Sequence, residues 1–395
     1  MTRTAGAALL AVASLSGAGC DGSGEAAGGP PGPLPASDVN PVPRDRVENG
    51  GTLRWPLPEF PSQWNFHHVN GATGAVGRVV QGVLPHLMRA DENAVPHPVP
   101  EYLRSATVER TAHGQTVTYR LNPRARWSDG RPIGHADFAA QARALSGRDP
   151  RFEVSSVTGY RRITRVERGD GDHEVRVVFD GTYADWRALF SPLYPASAYS
   201  TPREFNDGWR NRLPVTAGPF AVQEIDRAGK TVTLVRDPSW WGPPAKLDRI
   251  VHRAMDPAAT PGAFANHEID LMDVGLDAGV LRRVQGVRGA TVRRASGPDW
   301  RHFTLNAASP ALSDVRVRRA VMLGIDRRAI ARSDLSGLGV PVRTLGNHFY
   351  VAAQDGYEDN SGEFGVHDPD RAGRLLDEAG WRLRGRYRVK DGRTL

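Results

Sequence analysis

Residues 301–331, RHFTLNAASPALSDVRVRRAVMLGIDRRAIA, place a strand-like segment, a short loop and an arginine-studded helix in succession. Phe303 and Leu305 alternate with His302, Thr304 and Asn306, the period of two expected of a strand. Ser313 or Asp314 can cap the helix that follows, because a side-chain oxygen accepts the orphan N–H groups of a first turn. Along that helix Val317, Ala320, Val321 and Ile325 form an apolar stripe, while Arg316, Arg318, Arg319, Arg327 and Arg328 fall mostly outside it. The unit expected is scaffold, a helix packed on a sheet, with no side chain set up for catalysis.

Outward from this unit the same two periods recur. GTLRWPL (51–57) reads as a first short strand that enters a long, aromatic loop over 58–78, and VVQGVLPHLMRA (79–90) has helical spacing at Val79, Val83 and Leu87 with Pro85 signalling an early end. TVTYRL (116–121) alternates Val117, Tyr119 and Leu121, and EVRVVF (174–179) alternates Val175, Val177 and Phe179, as half-buried antiparallel strands do. Between them WSDG (127–130) marks a turn, followed by a helix from about Ala136. In GPFAVQEIDRAGKTVTLVRD (218–237) a further strand pair turns at Gly229. Strands and helices mix without a regular βαβ rhythm or an internal repeat, so the expected body is mixed α+β.

The 395 residues suffice for two or three packed domains. A formal charge of +7 raises the question of an anionic partner, yet all but three of the 51 basic residues are arginine and 44 acidic residues intersperse them. A solvated mixed-charge surface is the expectation, without nucleic-acid binding. The one cysteine, Cys20, excludes an intramolecular disulfide. It ends a stretch with an early positive charge at Arg3, an apolar run from Ala5 to about Leu15 and then small residues, which reads as an export signal over 1–19. Residues 20–49 are rich in Gly, Pro and Ser and read as a disordered tether.

Catalytic chemistry is sought and not found. His67 and His68 are adjacent in a loop, and His267 with Glu268 lacks the second histidine a zinc-protease helix needs. No nucleophile elbow, lysine-bearing phosphate loop or dinucleotide fingerprint occurs, and the glycines of GATGAVG (71–77) suit none of them. Asp129, Asp137, Asp314 and Asp326 occupy turn or cap positions, where local backbone hydrogen bonding accounts for them. What stands out is the aromatic content of the loops: Trp64, Phe66, the pair Trp240 and Trp241, Trp300, Phe349 and Tyr350. Aromatics at element ends can line a cleft, although Trp240 and Trp241 read as core.

Four motifs in order carry a resemblance: ARWSDGRPIGHADF (125–138); TAGPFAV (216–222) with LVRDPSWWGPPAKLDRIV (234–251); SDVRVRRAVMLGIDRRAI (313–330); and DPDRAGRLLDEAGW (368–381). Together they resemble the extracytoplasmic solute-binding proteins of peptide-type ABC importers, the oligopeptide, dipeptide and nickel binding proteins. SGAGC (16–20) likewise resembles the lipobox of bacterial lipoproteins, with Gly17 where leucine is usual.

The resemblance implies a two-lobe periplasmic-binding-protein-like fold with a hinge, in which the lobes close on a ligand. Lobe I would run over 50–298 with a subsidiary domain at about 84–200. Lobe II would start at 299, after a crossing near SGPDWRHF (296–303), and would be incomplete at 395, where relatives continue. The implied function is capture of peptides outside the membrane for delivery to a permease, by a monomer lipidated at Cys20 and so anchored to the outer face of the cell membrane. No catalytic residue, metal or cofactor is implied. Ligand contacts are assigned by position to Gln63, Trp64 and Asn65 after the first strand, and to Asp299, Trp300 and His302 at the crossing. A nickel-chelate, haem or opine cargo, a truncated non-transporting remnant, and a secreted hydrolase are the alternatives.

Overall fold

The structure is a computed structural model that describes residues 38–395, apart from 92, 113, 296, 298, 299 and 353. In chain order its elements are β1 (Thr52–Leu57), α1 (Gly74–Val83), β2 (Met88–Ala90), β3 (Pro96–Pro98), β4 (Leu103–Thr111), β5 (Gly114–Leu121) and α2 (His135–Leu145). They continue with β6 (Ile163–Arg168), β7 (Glu174–Asp180), α3 (Pro202–Asp207), β8 (Phe220–Asp226), β9 (Thr231–Arg236), β10 (Arg249–Ala254), α4 (Thr260–Ala265) and α5 (Ala278–Gln285). The last group is α6 (Val315–Gly324), α7 (Arg327–Leu335), α8 (Pro369–Glu378), β11 (Arg382–Arg384), β12 (Tyr387–Lys390) and β13 (Arg393–Thr394).

Two four-stranded sheets dominate the first three hundred residues. One has the order β1-β10-β9-β8, with β1 parallel to β10 and the remaining pairs antiparallel. The other, β4-β5-β7-β6, is wholly antiparallel and lies in the chain excursion between α1 and β8. Alternation explains its burial: Val117, Tyr119, Leu121, Val175, Val177 and Phe179 all turn to one face and are at most 2% exposed. On that face α2 seats Phe138, whose ring lies 5.3 Å from Tyr119 and 4.6 Å from Phe190.

α1 starts where Thr73 accepts a hydrogen bond from Val76 N, and it stops at Val83 because Pro85 cannot continue it. Its Val76, Val79, Val80 and Val83 are fully buried and join both sheets in one core cluster. Each such side chain contributes about 1.5–3 kcal/mol of burial. Trp240 and Trp241 pack on the same cluster, with Tyr102 at 5.5 and 5.8 Å and the Trp241 indole donating to the Glu101 carbonyl. The expectation of core for this pair agrees with that packing.

Beyond residue 300 the core is thinner. Asp314 caps α6 by accepting from Arg316 N, and Val317, Ala320 and Leu323 are its buried residues. Val317 packs with Ala379 and Trp381, and Ala320 and Leu323 with Ala372, so α6 leans on α8. The expected stripe is corrected at two places: Leu323 is buried where Val321 is only half-buried, and Ile325 lies past the helix in an extended cap. The expected strand at 302–306 is also absent; these residues join no ladder, and Phe303 is 61% exposed. Alternation supplies two faces, but a strand persists only where a neighbour takes up its backbone hydrogen bonds. Among the described residues no helix is long and apolar enough to cross a membrane.

Candidate functional site

The loop after β1 holds three of the residues assigned to ligand contact, and all three are sealed inside the scaffold. Gln63 Nε2 donates to the Asn206 carbonyl at 2.8 Å, while its Oε1 accepts from Asn65 N at 3.1 Å. Asn65 Nδ2 donates to the Phe205 carbonyl at 3.0 Å and its Oδ1 accepts from His67 N. Trp64 has no exposed surface; Phe60 meets its ring edge-on at 6.0 Å and its carbonyl accepts from Tyr194 OH at 2.6 Å. Its Nε1 is buried with no hydrogen-bond partner among the described residues. These side chains are spent on the loop's own architecture, so the expectation that they face a ligand is corrected for this conformation.

A buried polar chain fixes that loop from below. Tyr199 OH donates to Gln141 Oε1 at 2.9 Å and therefore accepts from His67 Nδ1 at 2.8 Å, which sets the histidine tautomer. Gln141 Nε2 donates in turn to Tyr160 OH at 2.9 Å. Burial pushes the His67 imidazole down to about 3, so it is neutral and structural near neutral pH.

Around Trp300 the geometry is the opposite. Asp299 lies outside the described residues, as does Cys20. Trp300 is 39% exposed, its ring 4.5 Å from His302 and 5.5 Å from His348. Arg301 pairs with Asp334 on α7, which moors the backbone beside Trp300. His348 was not among the sequence-assigned residues; the signal for it was its place just before the loop aromatics Phe349 and Tyr350. Asn347 holds that loop by accepting from Phe349 N and Tyr350 N and donating to the Glu358 carbonyl. The loop is also tied to the turn between β2 and β3, where Gln354 Nε2 donates to the Asn93 carbonyl at 3.1 Å.

An indole in contact with two imidazoles offers a stacking surface with hydrogen-bonding groups beside it, the composition of a binding face. Among the described residues no group of three or more His, Cys, Asp or Glu side chains is arranged to hold a metal. A separate polar cavity of about 510 Å³ opens at the start of α7, lined by Asp326, Arg327, Arg328, Asp359 and His367 among others. Asp326 there caps α7 through Ala329 N, and Arg327 donates to the carbonyls of Leu345 and Gly365, so both are occupied by the fold.

Similarity to known proteins bears on both halves. The oligopeptide-binding protein OppA of Mycobacterium tuberculosis is 41% identical over 364 residues, which cover 91% of this chain and 61% of that protein. The chain thus spans about three fifths of the length of this curated relative. The periplasmic EDTA-binding protein EppA superposes with a TM-score of 0.72 at 24% identity, over 88% of this chain and 67% of that one. NikZ from Campylobacter jejuni, solved with Ni(L-His), gives 0.69 at 19% identity, over 90% of this chain and 67% of that one. These structures share the two-lobe periplasmic-binding-protein fold expected here. The sequence model described as bacterial extracellular solute-binding proteins, family 5 Middle, matches residues 97–392, and the chain belongs to that family.

Proposed function

We propose that this protein captures peptides outside the membrane and hands them to the permease of an ABC importer, without covalent chemistry. The observation that carries the reading is the 41% identity, over nine tenths of the chain, with an oligopeptide-binding protein. The Bacillus subtilis oligopeptide-binding protein AppA, solved with a nonapeptide, and the periplasmic binding protein DppA from Helicobacter pylori, solved with the peptide STSA, share the fold. Lobe I comprises residues 50–298 and lobe II begins at 299, so the ligand is held near the crossing.

In this reading Trp300, His302 and His348 contact the ligand, with Asp299 beside them. Stacking on the indole favours an apolar or aromatic peptide side chain, and the imidazoles take up backbone carbonyls or N–H groups. The Gln354–Asn93 hydrogen bond ties the two halves and is made or broken as they move. Diacylglycerol on Cys20 holds a monomer at the outer face of the cell membrane, and residues 21–49 give it reach.

Thermal shift and calorimetric titration with a mixed peptide library test the proposal. Saturable binding by calorimetry, with stabilisation that grows as the logarithm of peptide concentration and every peptide recovered intact, supports the receptor. Stabilisation by metal chelates alone, or cleavage of the peptides, overturns it. The intact mass of the membrane-extracted protein tests the anchor: a mass without lipid on Cys20 refutes that part.

A further inference from the structure

Two guanidinium groups stand at β1, and their partners differ. Arg54, on the strand itself, is fully engaged: it donates to Asp270 Oδ1 and Oδ2 at 2.6 and 3.1 Å and to the His267 carbonyl at 2.5 Å. Arg78 on α1 is held from behind instead, its guanidinium 5.0 Å over the Trp55 ring and its Nη1 donating to the Pro56 carbonyl at 2.8 Å. Its one carboxylate partner among the described residues is Asp273, 3.3 Å from Nη2 and with a side chain 83% exposed. The guanidinium is thus fixed in place while its Nη2 has only a loose, solvated partner.

The position suits a ligand. β1 and β10 are parallel, so their carboxyl ends, at Leu57 and Ala254, lie side by side, and in open sheets with parallel strands ligands bind outside such ends. Arg78 reaches that end through the Pro56 carbonyl. Asp273 precedes Ala278, the first residue of α5, by five residues, at most about 18 Å of chain. Ala278 is where the turn after α7 packs on α5: a Cβ on Gly337 would lie 2.8 Å from the Ala278 Cβ. The Arg78–Asp273 pair therefore stands within a short peptide's length of a contact between the proposed lobes.

We propose that Arg78 binds the C-terminal carboxylate of the peptide and that Asp273 occupies this subsite when no peptide is bound; the inference rests on the peptide-binding reading above. A carboxylate matches the planar guanidinium fork, two N–H groups to two oxygens. Stacking on Trp55 and the bond to Pro56 hold the fork in advance, which cuts the entropy lost on binding. An exposed ion pair shifts an equilibrium by no more than about fivefold, so an incoming carboxylate displaces Asp273 at little cost, one carboxylate exchanged for another. Arg54 offers no such exchange, because both oxygens of Asp270 already fill its fork. An Asp or Glu side chain of the peptide carries the same group as its terminus, and the test separates the two.

The test titrates the full chain, by calorimetry, with a random pentapeptide library free of Asp and Glu, made once as free acids and once as C-terminal amides. A third library, of amides with one Glu, supplies the side-chain carboxylate. The expected result is that acids bind at least about tenfold more tightly than either set of amides, a preference that shrinks at high salt. Arg78→Gln lowers the acids to the level of the amides and leaves the amides unchanged. Asp273→Ala strengthens the acids alone, by up to about fivefold. Arg54→Gln leaves the acid-to-amide ratio as it is. Thermal midpoints establish that the variants fold; if Arg78→Gln does not, Arg78→Lys, which keeps the charge and loses the fork, takes its place and narrows the ratio. Saturable binding with no preference for acids overturns the subsite and leaves the receptor standing, whereas no binding by any library overturns both. An equal loss of acids and amides in the folded Arg78 variant, or Glu-bearing amides that match the acids, also overturns the proposal.

Discussion

Trp127 donates its indole N–H to Asp137 Oδ2 at 3.1 Å, and both side chains are at most 2% exposed. The same carboxylate accepts from Gly134 N at 3.0 Å and from Ala196 N at 2.8 Å. It thus closes the WSDG turn, the first turn of α2 and a segment sixty residues downstream onto one group. Burial raises its pKa and the three donors oppose that rise. Asp137→Ala strands one buried and two half-buried donors and is expected to cost about 3 kcal/mol by urea unfolding. Trp127→Phe removes one donor while keeping most of the ring, and is expected to cost about 1–2 kcal/mol.

Gly71 is required by space. A Cβ there would sit 1.9 Å from the Asn65 carbonyl oxygen, because the chain doubles back on the loop that holds Gln63, Trp64 and Asn65. Gly71→Ala is therefore expected to destabilise by about 3 kcal/mol. Gly74, three residues on, has nothing within 4 Å of such an atom, and Gly74→Ala at the start of α1 is expected to be neutral or slightly stabilising. Comparing the two urea midpoints separates a close-packing role from general glycine flexibility.

His252 on β10 is 1% exposed, with Trp55 at 5.7 Å and its Nδ1 without a partner among the described residues. Burial, helped by the Arg78 guanidinium, pushes it down to about 4. In the unfolded chain the ring titrates near 6.5, so below that pH the unfolded state binds a proton that the folded state refuses. Stability from this group is intact above about pH 6.5 and falls as pH drops toward 4, with a slope of about 1.4 kcal/mol per pH unit. His252→Asn is expected to flatten the stability–pH curve in that window, whatever its effect on absolute stability; an unchanged slope contradicts the assignment.

What could be read in advance was local. β5, β7 and α2 follow from period and turn chemistry carried within a dozen residues, and Asp314 and Asp326 do cap the helices that follow them. Whether a loop aromatic is buried depends on residues far along the chain: Trp64 is covered by Tyr194 and its neighbourhood, which no window around Trp64 contains. The alternation at 302–306 lacked a neighbouring strand, and periodicity cannot supply one. His348 joins Trp300 only because the chain returns to it. The terminal hairpin had local signals in Gly385 and Asp391–Gly392, yet its strands are two to four residues long, too short to show a period.

Trp64 and Trp300 were assigned alike, and their surroundings now set them apart. Trp64 has no exposed surface, so Trp64→Ala is expected to cost about 3–5 kcal/mol of stability through cavity formation. Trp64→Phe retains much of the packing and removes an indole N–H that has no partner, so its cost is expected to be well below that. Neither change should alter ligand affinity in the folded fraction. Trp300 touches His302 and His348 and keeps 39% of its surface in solvent, so Trp300→Ala is expected to leave stability within about 1 kcal/mol. Its loss should instead weaken peptide binding at least about tenfold, since truncating a central aromatic anchor typically costs about 2 kcal/mol. Urea unfolding and calorimetric titration of the same three variants decide the matter: an affinity loss in Trp64→Phe, or none in Trp300→Ala, moves the ligand site away from Trp300.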